Sequence, residues 1–199
     1  MTSISRRSAL IVAAAFSLAF VVVGGCVMVA GSFPGDRRAL VVLHNVVGAS
    51  TDDPMIAIGD ATDTLPLVGL AVVVAAVLLL AGRRTDALFL LLGIGVACTL
   101  NPVFKEIVER SRPDVWPSPE SVSRYSFPSG HAANTAALVG GLVLIARPER
   151  RRLAFALGAF VLLVVAFSRL AVGVHYPSDI VAGWLWAGAW TTLLWSARA

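Results

Sequence analysis

The chain has 199 residues, of which 57% are hydrophobic and only 14% charged, with a mean hydropathy of +0.82; an ordinary soluble domain is about a quarter charged. That composition excludes a water-soluble globular enzyme and, at about 20 apolar residues per crossing, leaves room for a single helical bundle in a bilayer and no second domain. The formal charge of +4 comes from 15 arginines and one lysine set in short clusters between apolar runs, a pattern of membrane topology rather than of a nucleic-acid surface, so no nucleic-acid partner is expected.

In chain order, the first predicted span covers residues 9–30, preceded by Arg6 and Arg7. Ser5-Arg6-Arg7 resembles a twin-arginine export signal and Val23-Gly24-Gly25-Cys26 a lipoprotein cleavage box. The apolar run nevertheless exceeds the 7–15 residues of a signal core and continues past Cys26, which favours a retained helix. Residues 31–61 are mixed, too poor in apolar positions to cross, and read as an interfacial or partly buried helix in which His44 is structural. Further spans are expected at 62–81, 87–104, 129–146, 153–167 and 177–195. The fold class is therefore all-α, a bundle of six transmembrane helices. Cys26 and Cys98 both lie inside apolar runs without metal-ligand spacing, so neither a disulfide nor a metal site is expected.

Arginine counting orients the bundle. Six spans place nine arginines on the side of the termini: Arg6, Arg7, Arg83, Arg84, Arg147, Arg150, Arg151, Arg152 and Arg198. The opposite side holds seven cations, three of which (Lys105, Arg112 and Arg169) have a chemical role in the reading that follows. The bias predicts cytoplasmic termini in the plasma membrane and an extracytoplasmic cluster of polar groups.

Three stretches contribute to that cluster. Lys105 and Arg112, two helical turns apart, are expected on one face of a helix that Pro113 stops. Ser129, Gly130 and His131 open a helix after Phe127 and Pro128, offering a hydroxyl, backbone N–H groups and the positive end of a helix dipole. In the third stretch, Ser168 and Arg169 precede His175, and Pro177 starts a new helix, one turn into which Asp179 can reach back to the imidazole. Three cations and a helix N-terminus fit phosphate oxygens. A histidine oriented by a carboxylate fits a nucleophile, His175, and the second histidine, His131, fits the proton donor to the leaving oxygen.

These spaced residues, Lys105-x6-Arg112-Pro113, Pro128-Ser129-Gly130-His131 and Ser168-Arg169-x5-His175-x3-Asp179, resemble the three-part signature of the type 2 phosphatidic acid phosphatase superfamily at every position and in order. The resemblance implies a metal-independent, cofactor-free lipid phosphatase. Its catalytic residues would be His175, Asp179 and His131, and its phosphate ligands Lys105, Arg112, Ser129, Gly130 and Arg169. The same signature occurs in soluble vanadium haloperoxidases, which the apolar spans argue against. A lipid-phosphate transporter or binding protein that kept the pocket is the remaining alternative. The loop at 114–127 and the segment 35–60 are expected to set headgroup choice among polyprenyl diphosphate, phosphatidylglycerol phosphate and phosphatidic acid types.

Overall fold

The apolar runs fold as helices because, away from water, a helix satisfies its own backbone N–H and C=O groups. A computed structural model describes residues 5–47, 52–116 and 123–198. Those residues contain eight helices: α1 (Arg6–Ala30), α2 (Asp36–Val47), α3 (Asp52–Ala61), α4 (Thr64–Leu80), α5 (Arg84–Val108), α6 (Gly130–Ile145), α7 (Arg151–Ala171) and α8 (Pro177–Ser196). Their ends follow local chemistry. Ser5 Oγ accepts the Ser8 N–H at the start of α1, Gly31 closes it with φ 66°, and Asp63 caps α4 by accepting the Thr64 N–H at 2.7 Å.

The exterior is apolar. Val29 and Leu80 are each 91% exposed, and Leu18, Val21, Val73, Phe155, Phe160 and Leu163 also face outward. A surface of large aliphatic side chains is unfavourable in water and suits acyl chains. Among the described residues α1, α5 and α7 are long and apolar enough to cross a membrane, as is the α3–α4 pair if its 46° bend is counted within one crossing; α6 is a shorter apolar helix.

Small residues let the helices approach closely. A Cβ on Gly183 of α8 would stand 2.8 Å from the Ser129 carbonyl oxygen, so α8 and the start of α6 meet backbone to backbone. Leu67, Ala71, Phe89, Leu90, Ile94 and Leu138 fill the seam between α4, α5 and α6. Phe127, fully buried, packs with Val27 and Ala182 and stacks on Phe20, which anchors the loop ahead of α6.

Two expectations are corrected. Residues 31–61 form two short helices rather than one, with α3 leading into the bend before α4. And α5 does not carry Lys105 and Arg112 on a common face: it stops at Val108, Glu109 turns into the left-handed region with φ 49°, and Ser111 pairs with Tyr125 in an isolated β-bridge. The chain thus leaves the helix before Pro113 acts, and Arg112 reaches the site from an extended segment. Of the loop expected to set headgroup choice, residues 117–122 lie outside the described residues.

Candidate active site

The ends of α5, α6 and α7 and the turn before α8 enclose a cavity of about 450 Å³. Lys105, Arg112, Gly130, His131, Arg169 and His175 all line it. Six residues drawn from three separated stretches of sequence are therefore brought together.

Two sequence-predicted residues sit behind the wall. Ser129 is fully buried and acts as the N-cap of α6, its Oγ accepting the Ala132 N–H at 3.4 Å, so its hydroxyl orients the helix whose first residues, Gly130 and His131, reach the cavity. Asp179, also fully buried, spends its Oδ2 on the Tyr176 N–H at 2.8 Å, closing the first turn of α8 with Pro177 inside it.

Among the described residues the cations donate to neutral acceptors. Lys105 Nζ donates to Ser123 Oγ at 3.1 Å. Arg112 donates from Nε to the Ser123 carbonyl at 2.5 Å and from one terminal nitrogen to the Val174 carbonyl at 2.7 Å, and the same nitrogen lies 3.4 Å from His175 Nε2. Arg169, fully buried in the last turn of α7, donates to the Met55 carbonyl of α3 at 2.6 Å. Its guanidinium is pressed against Gly59, where a Cβ would fall 2.1 Å from the nearest nitrogen. Only glycine leaves room for Arg169 there.

His175 is 2% exposed, and its Nδ1 lies 3.5 Å from Asp179 Oδ2 without completing a hydrogen bond. Burial pushes its pKa down to about 4, with Asp179 acting in the opposite direction. The imidazole is therefore neutral at neutral pH.

In the sequence Arg110 counts only as one of the seven cations on the side opposite the termini. It is 5% exposed and donates to Asp179 Oδ1 at 2.5 Å, to Ser178 Oγ at 2.7 Å and to Asp36 Oδ2 at 2.7 Å, with its guanidinium 4.1 Å above the Tyr176 ring. Asp36, at the start of α2, also accepts the Ser178 N–H and hydroxyl. One buried network thus ties α2 and the segment after α5 to the N-terminus of α8. The sequence carried a faint signal for it, an aspartate opening an amphipathic helix, but nothing pairs positions 36 and 110. On the far side of the turn, Trp116 stacks on His44 at 3.9 Å and closes over Gly173, which has φ 77°. His44 is structural in this sense, as the wall against which Trp116 rests.

The sequence profile of the PAP2 superfamily matches residues 86–199. Phosphatidylglycerophosphatase B of Bacillus subtilis is 31% identical over 134 residues, 63% of each chain. An undecaprenyl-diphosphatase of Sulfolobus acidocaldarius is 32% identical over 129 residues, 61% of this chain and 59% of that one. A decaprenylphosphoryl-5-phosphoribose phosphatase of Mycolicibacterium smegmatis is 42% identical over 86 residues, 41% of this chain and 43% of that one. The matched regions span less than two thirds of these relatives' lengths. The crystal structure of a transmembrane PAP2-type phosphatidylglycerolphosphate phosphatase from Bacillus subtilis superposes with a TM-score of 0.81 at 24% identity, over 94% of this chain and 96% of that one, which establishes a common fold.

Proposed function

The chain belongs to the PAP2 superfamily, and from that premise we propose that it hydrolyses a lipid phosphate without a metal, through a phosphohistidine on His175. The observation that carries this reading is His175 Nε2 lying 3.4 Å from Arg112 in a cavity also lined by Lys105, Arg169 and His131. Nε2 attacks phosphorus, the P–O bond to the alcohol breaks, and His131 gives its proton to the leaving oxygen. Water then attacks phosphorus and yields a proton to His131; the P–N bond breaks, and inorganic phosphate leaves a neutral His175. The three cations spread charge over the equatorial oxygens, where most of the catalysis of phosphoryl transfer lies. Asp179, whose Oδ2 lies 3.5 Å from Nδ1, stabilises the imidazolium form.

In the same reading α1, α4, α5, α6, α7 and α8 each cross the plasma membrane. The arginine-rich end, where Arg83 binds Asp86 and the Ile145 carbonyl, is cytoplasmic, and the cavity is extracytoplasmic. The PAP2 fold and the arginine bias support that orientation.

The test is phosphate release from purified protein with lipid phosphates in detergent, in the presence of EDTA and across pH. Release is expected to survive the chelator; its loss would contradict a pocket that works by cations of the chain alone. The profile of kcat/KM should be bell-shaped. Neutral His175 is the reactive form and its pKa is lowered, so activity is present above about pH 4 and lost as pH falls through that value, while the alkaline limb reports loss of the proton that His131 and the substrate phosphate share at the leaving oxygen. A rate that climbs monotonically with pH would overturn the two roles. Phosphate binding without turnover would favour the transporter or binding-protein alternative.

Gly59→Ala gives a second check. The new methyl displaces the buried Arg169 guanidinium, and misplacement by about 1 Å costs on the order of 10²-fold in rate, with a stability loss of about 1–3 kcal/mol from overpacking. Turnover should fall much further than the melting temperature.

A further inference from the structure

His175 is served by Asp179, four residues along, but no carboxylate lies anywhere between residues 121 and 148 to serve His131 in the same way. Among the described residues neither ring nitrogen of His131 takes part in a hydrogen bond. One helical turn along α6 from His131, Asn134 Nδ2 donates to Thr64 Oγ1 at 3.2 Å, which fixes the start of α4 against the start of α6. Asp63 immediately precedes Thr64, in the break between α3 and α4, and lines the same cavity as His131. Its Oδ1 accepts the Thr64 N–H at 2.7 Å, while its Oδ2 has no hydrogen-bond partner among the described residues. The charges that act on His131 are Arg169 from α7, His175 from the turn before α8, Lys105 from α5, and Asp63. Of these four, Asp63 is the one that attracts a protonated imidazole. Arg112 and Arg124 add further positive charge to the cavity, and Asp60 and Glu106 are its other carboxylates.

We propose that Asp63 is the positioning residue of the proton donor: held beside α6 by the Thr64–Asn134 bond, its carboxylate faces the His131 imidazolium and keeps it aimed and protonated for the leaving oxygen. The inference rests on the proposed phosphatase reading, in which His131 gives a proton to the departing alcohol and regains one from the attacking water. Asp63 exchanges no proton and touches no phosphate, so its charge is constant through both halves of the reaction. It does for His131 what Asp179 does for His175, from a break between helices instead of a first helical turn.

The experiment uses the full-length Asp63→Asn protein in detergent. Asparagine caps a helix as well as aspartate, so the start of α4 is kept and only the charge is removed. On phosphatidic acid kcat is expected to fall about tenfold with KM little changed, because part of what a positioned acid contributes is lost. The alkaline limb of kcat/KM should move to lower pH. On p-nitrophenyl phosphate, whose phenolate departs without a proton, the variant should stay within about twofold of the parent. Asp63→Glu, which retains the carboxylate, should recover most of the loss. Asp60→Asn removes the same charge from the cavity wall without the tie to α6, and should leave the limb in place. An unmoved limb in Asp63→Asn, an equal loss on both esters, or the same loss in Asp60→Asn would each overturn the assignment while leaving the phosphatase reading in place. Failure of the parent on both esters would overturn the phosphatase reading and the assignment with it.

Discussion

His175→Ala protein is expected to release no phosphate above background, a loss of about 10⁴-fold or more, while melting close to the parent. In the proposed mechanism no other group that touches phosphate can replace the nucleophile. There His131 is assigned to the leaving oxygen, and Lys105, Arg112 and Arg169 are assigned to stabilising charge, as cations that offer no lone pair at neutral pH. Folding is spared because Asp179 is held independently of the imidazole, by Arg110 and by the Tyr176 N–H. Rapid-quench trapping of an acid-labile phosphoenzyme in the parent, absent from His175→Ala, separates covalent catalysis from activation of water. A variant that still turns over within tenfold of the parent would remove His175 from the reaction.

Arg110→Leu is expected to produce the largest loss of stability. The guanidinium is the cation shared by two buried carboxylates, Asp36 and Asp179, and removing one partner of a buried pair costs about 3–5 kcal/mol because the other charge is left without compensation. Thermal melting in detergent reads this. Arg110→Lys keeps the charge but not the fork that serves Asp36, Ser178 and Asp179 together, so it should fold better and still lose kcat rather than raise KM. It should also move the acid limb of kcat/KM upward. With Arg110's hold on Asp179 weakened, the carboxylate's negative charge acts more strongly on His175 and raises its pKa. A fall in melting temperature with an unmoved acid limb would restrict Arg110 to a structural role.

Much of the architecture could be read from the sequence because each apolar run is long and bounded by arginines or capping residues: Ser5, Asp63 and Ser129 all sit at helix starts. The three stretches that meet at the cavity could be read because charged and small polar residues are conspicuous against so apolar a background. The path between Lys105 and Arg112 could not. Nothing about a glutamate announces a left-handed residue, and Glu109 takes that conformation and sends Arg112 out of the helix. Ser129 was legible only in part: a serine before a helix is both a phosphate donor and a cap, and its place as the buried cap of α6 depends on packing the sequence does not display. Arg110 and Asp36 were hidden by distance, since their bond joins positions 74 apart in sequence. Gly59 escaped notice because close approach to Arg169 leaves no pattern in sequence.

The signature from Lys105 to Asp179 contains every residue proposed to touch phosphate, but not everything that holds those residues in place. Asp36 completes the counter-ion set of Arg110, and the Met55 carbonyl and Gly59 form the seat of Arg169, all from the first third of the chain. A fragment cut down to the signature-bearing helices would retain its reactive groups and lose their mounting. The smallest catalytic unit is accordingly larger than the segment by which such a chain is recognised, and mutational surveys confined to that segment would miss the scaffold that makes it work.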